Sequence, residues 1–208
     1  MTDIARFTVN WNYPTNVRFG VGRIRELADA CKALGMARPL LVTDPGLAGM
    51  PMIAAAVEAN AKAGLPTGLF SDIQPNPVER NIADGVAAFR AGGHDGVVAF
   101  GGGSALDSGK AIALMVGQNR PIFDFEDRED WYSRVNVADM APVVAVPTTS
   151  GTGSEVGRSS VVTDPTDHLK KIIFHPRMLP AIVVADPELT LGLPAGIPAA
   201  RGLDALSH

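Results

Sequence analysis

The amino-acid sequence predicts an α/β protein: a mostly parallel sheet with helices on both faces, followed by the start of a second, helical domain. Three observations carry this. Short continuous runs rich in Val, Leu and Ala recur without polar alternation, which marks strands buried on both faces. Helix-like stretches separate them, so strands and helices alternate as in parallel α/β sheets. From Pro194 the pattern changes to Ala-rich helical sequence that runs to His208. The boundary therefore falls near Leu193, with 1–193 as the α/β domain and 194–208 as the beginning of the next.

The elements follow in order. Arg38-Pro-Leu-Leu-Val-Thr43 is a short apolar run and reads as a buried strand. Ala48 to Ala63 is Ala-rich and helical, and Pro66 to Phe70 is a second strand. Asn76-Pro77 resembles an N-cap followed by proline at the first helical position. The helix it opens, Val78 to Ala91, carries Ile82, Val86 and Phe89 at helical spacing and meets a glycine stop at Gly92-Gly93. Gly96-Val-Val-Ala-Phe100 is a third strand, followed by a helix from Ala105 to Val116. Val143 to Val146 is a fourth, and Ser159 to Thr163 and Ala181 to Ala185 are further candidates.

Composition narrows the partners. The 208 residues are 46% hydrophobic and 19% charged, with a net charge of −4. That balance offers no basic surface for nucleic acid or an acidic membrane. No run of eighteen apolar residues and no apolar leader occur, so a cytoplasmic protein without membrane partners is expected. The single cysteine, Cys31, excludes an intramolecular disulfide and reads as a small buried apolar residue. No internal repeat or low-complexity tract interrupts the chain.

Two loops carry the chemistry. Phe100-Gly-Gly-Gly-Ser104 joins a strand to a helix. Glycines let the backbone approach a ligand, and free N–H groups at the helix start attract an anion. Ser104 can cap that helix or bond a phosphate; Asp107 reads as structural or as a partner of Lys110. The full G-x-G-x-x-G fingerprint is absent: Gly20-Val-Gly22 lacks its third glycine, and Gly151-Thr-Gly153 reaches Gly157 one residue late. The second loop, Pro147-Thr-Thr-Ser-Gly-Thr-Gly-Ser-Glu155, follows a buried strand with five hydroxyl side chains. Hydroxyls bond ribose and phosphate without adding charge, so two such loops can grip one dinucleotide in a Rossmann-like sheet. Asp44 ends the first strand. A carboxylate there accepts a bond from the adenosine ribose 2′-OH and repels a 2′-phosphate, which favours NAD over NADP. Finally, Asp204 and His208 are four apart, on one face of an expected helix. Two ligands alone hold a divalent metal weakly.

Four segments together resemble the iron-containing alcohol dehydrogenase family. Gly101-Gly-Gly-Ser-Ala-Leu-Asp-Ser-Gly-Lys110 is similar to its GGGSxxDxxK signature, and Pro147 to Val156 to its PTTxGTGSEV segment. Ala185-Asp-Pro-Glu-Leu-Thr190 resembles ADPxLT, and Gly202-Leu-Asp-Ala-Leu-Ser-His208 resembles GxDALxH. The resemblance runs from Asn16 to His208. It implies an α/β nucleotide-binding domain and an all-helical second domain, with metal and substrate between them. It implies that Gly102, Gly103 and Ser104 cradle the pyrophosphate and that Thr148, Thr149 and Thr152 bond the cofactor. Ser159 and Lys170 occupy matching cofactor positions, with the adjacent Lys171 as a rival. Asp204 and His208 match two of four metal ligands; the two later histidines are not in this sequence, and His94, His168 and His175 do not match them. Arg201 departs from the small or hydroxyl residue usual in the family.

The implied reaction is hydride transfer between NAD(H) and a small alcohol, aldehyde or ketone. A divalent metal, Fe(II) by preference and Zn, Mn, Co or Ni as alternatives, would acidify the alcohol. No side-chain general base is assignable. A homo-oligomer, dimer or higher, is expected. The rivals are a metal-independent reductase of the maleylacetate reductase kind and, should the natural chain end at His208, a non-catalytic dinucleotide-binding module. Phe123, Phe125, Trp131 and Tyr132 form an aromatic cluster that lines the cleft or, more simply, packs the core or a covering loop.

Overall fold

A computed structural model describes residues 8–12, 15–191 and 204–205. Nine strands are described: β1 (Thr8–Asn12), β2 (Asn16–Gly20), β3 (Pro39–Val42), β4 (Gly68–Phe70), β5 (Gly96–Gly101), β6 (Val143–Pro147), β7 (Ser159–Thr163), β8 (Lys170–Phe174) and β9 (Ile182–Ala185). The helices are α1 (Leu27–Ala33), α2 (Pro45–Ala48), α3 (Pro51–Lys62), α4 (Glu79–Ala91) and α5 (Gly103–Met115). Seven strands form one sheet in the order β1-β2-β9-β6-β5-β3-β4. Only β1–β2 is antiparallel; the other neighbours run parallel.

The continuous apolar runs have the expected cause. Along β5, Val97 and Ala99 join one core while Val98 and Phe100 join the other, and all four are fully buried. Helices α4 and α5 cover the first face through Ile82, Val86, Phe89, Leu106 and Ile112. Helices α1 and α3 cover the second through Leu27, Cys31, Ile53 and Ala56. Cys31 is inert packing, its thiol pushed up to about 12 by burial.

Chain order and space order part company at one place. From β3 the chain steps outward to β4, then returns across β3 to β5 and continues to β6. The sheet thus reverses direction between β3 and β5, the position where open α/β sheets bind ligands beyond the carboxyl ends of their strands.

Several expectations are corrected. The stretch Ala48–Ala63 is two helices, because Pro51 opens α3 at its first turn and the chain bends through Gly49-Met50. Asn76 does not cap α4: it has φ 56°, the helix starts at Glu79, and the Asn81 side chain accepts from the Val78 N–H at 3.0 Å. Helix α5 begins at Gly103 rather than Ala105. Strand β7 belongs to a separate antiparallel hairpin with β8, packed on α5 by Val162 and Ile173. The elements β1, β2, α1 and β8 went unread. Phe125 is fully buried, which answers the aromatic cluster as core packing at that residue. The boundary near Leu193 and the helix to His208 lie outside the described residues, except for Asp204-Ala205, which is helical.

Candidate dinucleotide site at the sheet's switch point

The site is built from strand ends. β5 stops at Gly101, whose φ of 147° is one that L side chains rarely adopt; an added Cβ there would lie 2.8 Å from the Cβ of Ala105. Gly102 then precedes the first turn of α5 with no side-chain cap, so Ser104 does not cap the helix. The first-turn N–H groups of an α-helix have no partner within the helix, and here they open beside the end of β3.

The polar loop comes alongside because β5 and β6 are paired up to Gly101 and Pro147, and the Thr148 N–H then bonds Gly101 O at 3.0 Å. A Cβ on Gly103 would fall 2.9 Å from Thr152 Cγ2 and 3.1 Å from Thr152 Oγ1. Glycine at 103 is therefore a condition for the two loops to touch. Thr148 is 1% exposed, and its hydroxyl has no hydrogen-bond partner among the described residues. A buried hydroxyl without a partner costs about 1–3 kcal/mol, which a ligand oxygen would recover.

A cleft of about 680 Å³ opens here, lined by Asp44, Leu47, Met50, Asp72, Ile73, Gly102, Gly103, Ser104, Thr148 and Thr149 among others. Asp44 also caps α2, its Oδ1 accepting from the Leu47 N–H at 3.1 Å. Of the residues expected to hold a cofactor, Asp44, Gly102, Gly103, Ser104, Thr148 and Thr149 are brought together on this cleft, and Thr152 stands behind Gly103. Ser159 and Lys170 do not line it. They begin β7 and β8, and since Lys170 pairs with Thr163 they stand at opposite ends of the hairpin. Sequence reading missed Asp72, Ile73 and Gln74. The available signal was position: they follow β4, which neighbours the switch point, at its carboxyl end.

Behind the loops lies an ionic staple. Lys110 is 1% exposed and donates to the carbonyls of Ser154 at 2.9 Å, Gly157 at 3.4 Å and Ser159. It pairs with Asp107 at 3.1 Å; Asp107 in turn accepts from Ser154 Oγ at 2.5 Å and the Val161 N–H at 3.0 Å. Burial pushes the Lys110 ammonium below its ordinary value, opposed by Asp107. Asp107 is thus Lys110's partner, not a phosphate contact. Asp186 does similar work at the end of β9, accepting from the Ile24 and Glu188 N–H groups at 3.0 Å each.

A family profile described as iron-containing alcohol dehydrogenase matches residues 14–187. The chain belongs to the iron-containing alcohol dehydrogenase family. Within that family it is 40% identical over 197 residues to 4-hydroxybutyrate dehydrogenase of Cupriavidus necator, covering 94% of this chain and 50% of the relative. It is 34% identical to an NAD-dependent methanol dehydrogenase of Bacillus methanolicus, covering 96% and 51%. The solved sulfoacetaldehyde reductase from Bifidobacterium kashiwanohense, in complex with NAD+, superposes with a TM-score of 0.84 at 32% identity, covering 96% of this chain and 52% of that one. The chain spans about half the length of the curated relatives it matches. No described helix is long and apolar enough to cross a membrane.

The family's metal is a separate question. Asp204 is half-buried and helical, and His208 lies outside the described residues. Among the described residues no group of three His, Cys, Asp or Glu is placed to hold a metal ion.

Proposed function

We propose that the switch-point cleft binds NAD(H), and that this chain is the dinucleotide-binding part of an enzyme moving hydride between NAD(H) and a small alcohol, aldehyde or ketone. The observation that carries it is the buried, unpartnered Thr148 hydroxyl beside the open N–H groups of α5. Together they offer polar donors to one anionic ligand at the place where such sheets bind dinucleotides. In this reading Gly102, Gly103 and Ser104 hold the pyrophosphate through backbone N–H groups. Thr148 and Thr149 bond its oxygens, and Thr152 fixes the loop against Gly103. Asp44 accepts from the adenosine ribose, and the apolar wall of Leu47, Met50 and Ile73 takes the adenine. Ser159 and Lys170, outside the lining and at opposite ends of the hairpin, take no part in this grip. The nicotinamide, when bound, supplies the hydride acceptor.

Asp204 and His208 contribute two ligands of the metal site in the same reading, and the boundary near Leu193 divides cofactor domain from metal domain. A divalent metal held there would supply Lewis-acid polarisation of the substrate oxygen. The working protein is a cytoplasmic homo-oligomer. Turnover of NAD(H) against a panel of alcohols and aldehydes, before and after chelation with Fe(II) add-back, tests the reading. Activity should fall on chelation and return with iron. Activity indifferent to chelation would place the protein with the metal-independent reductases, and absence of NADH binding would remove both.

A further inference from the structure

The cleft holds a second carboxylate that the cofactor reading leaves unused. Val42 pairs with Phe70 across β3 and β4, so Asp44 and Asp72 each lie two residues beyond one paired position on neighbouring parallel strands. Both line the cleft. Asp44 has one oxygen engaged by the Leu47 N–H. The Asp72 carboxylate is exposed and makes no hydrogen bond or ion pair with the described residues. Its backbone is held, since its carbonyl accepts from Asn81 Nδ2 at 2.9 Å, and Asn81 is itself fixed at the start of α4. The side chain therefore projects from an anchored residue, not from a loose loop. Among the described residues, the lining of the cleft contains these two acids and no Lys, Arg or His.

We propose that Asp72 is a second specificity-determining residue, which acts with Asp44 to exclude cofactors carrying a 2′-phosphate. The inference rests on the dinucleotide reading of the cleft. A 2′-phosphate adds nearly two negative charges next to the ribose hydroxyl that Asp44 would bond. With one carboxylate removed, the other still repels it through open solvent, an interaction that is modest and screened by salt. Neutralising Asp44 alone consequently leaves part of the discrimination in place. Because Asp72 need not touch a 2′-hydroxyl, its neutralisation should raise NADPH affinity and leave NADH affinity nearly unchanged. Loss at Asp44 instead weakens NADH as well.

The test is binding of NADH and NADPH, followed by cofactor fluorescence, to the wild type, Asp72→Asn, Asp72→Glu, Asp44→Gly and the Asp44→Gly/Asp72→Asn double variant, at 20 mM and 300 mM salt. Asp72→Asn should narrow the NADH preference about fivefold at low salt, through the NADPH arm and with less effect at high salt. Asp72→Glu should restore the preference, and the double variant should discriminate less than Asp44→Gly. An unchanged ratio in Asp72→Asn, with the double variant equal to Asp44→Gly, overturns the proposal while NADH still binds. If the wild type binds neither cofactor, the underlying reading fails instead. Thermal melts of each variant confirm that the folded protein is being compared.

Discussion

At Thr148, stability and function make opposite demands. Its hydroxyl is buried without a partner, so Thr148→Val should leave the melting temperature unchanged or raise it. The same change removes the proposed cofactor contact and should weaken NADH about 5- to 30-fold, the range of a single hydrogen bond of about 1–2 kcal/mol. A loss of both, seen by thermal melt and titration, would make the hydroxyl structural. Gly103→Ala places a methyl 2.9 Å from Thr152 Cγ2. It should cost about 1–3 kcal/mol of stability, as overpacking does, and NADH affinity should fall with it. Asp44→Gly should relax the NAD preference at little structural cost, since exchanging an N-cap for glycine loses only a few tenths of a kcal/mol. Gly103 and Thr148 were legible as candidates because their loops follow buried strands within motifs that stand in family order, and Asp44 because it ends a buried strand. Asp72 was not, because a lone acid in a loop gains meaning only when β4 is known to lie beside β3.

Among the elements, the Asp107–Lys110 pair within α5 holds the architecture, and the strand ends hold the proposed site. Lys110 ties the polar loop and β7 to α5, so Lys110→Met should cost about 3–5 kcal/mol, the penalty for breaking a buried pair, and loosen residues 154–161 in hydrogen exchange. The hairpin turn carries a second link. Hydrogen bonds from Lys171 and then Thr166 hold the Asp164 carboxyl down to about 2 from its ordinary 3.8. A depressed carboxylate stabilises fully above its unfolded value. The turn's contribution is therefore complete above about pH 4 and lost as pH falls through about 2. A carboxyl NMR titration reads this directly, and Lys171→Met should move the midpoint up toward 3.8. Sequence reading found the doubly buried strands β3, β5, β6 and β9 because both faces demand apolar residues. It missed β2 and β8 because Asn16-Val-Arg-Phe-Gly20 and Lys170-Lys-Ile-Ile-Phe174 mix polar residues into short strands at the sheet's margin or in the outlying hairpin.

For the whole molecule, the fold class, the order of the central elements and the family were all readable from four motifs and their sequence order. What the sequence left open was which motif residues meet. The sheet's reversal between β3 and β5 supplies that: it gathers Asp44, Gly102, Gly103, Ser104, Thr148 and Thr149 on one cleft and leaves Ser159 and Lys170 on the hairpin. A ligand confined to the folded state should also stabilise it, by about 2.7 kcal/mol at a hundredfold excess over Kd. The central claim is that NAD(H) binds at this cleft through the start of α5. Titrating the protein with NADH while following its backbone amide NMR signals tests it most directly. The account predicts saturable shifts centred on Gly102, Gly103, Ser104, Thr148 and Thr149, abolished or strongly weakened in Gly103→Ala. Saturable NADH binding that leaves those amides unmoved would contradict it.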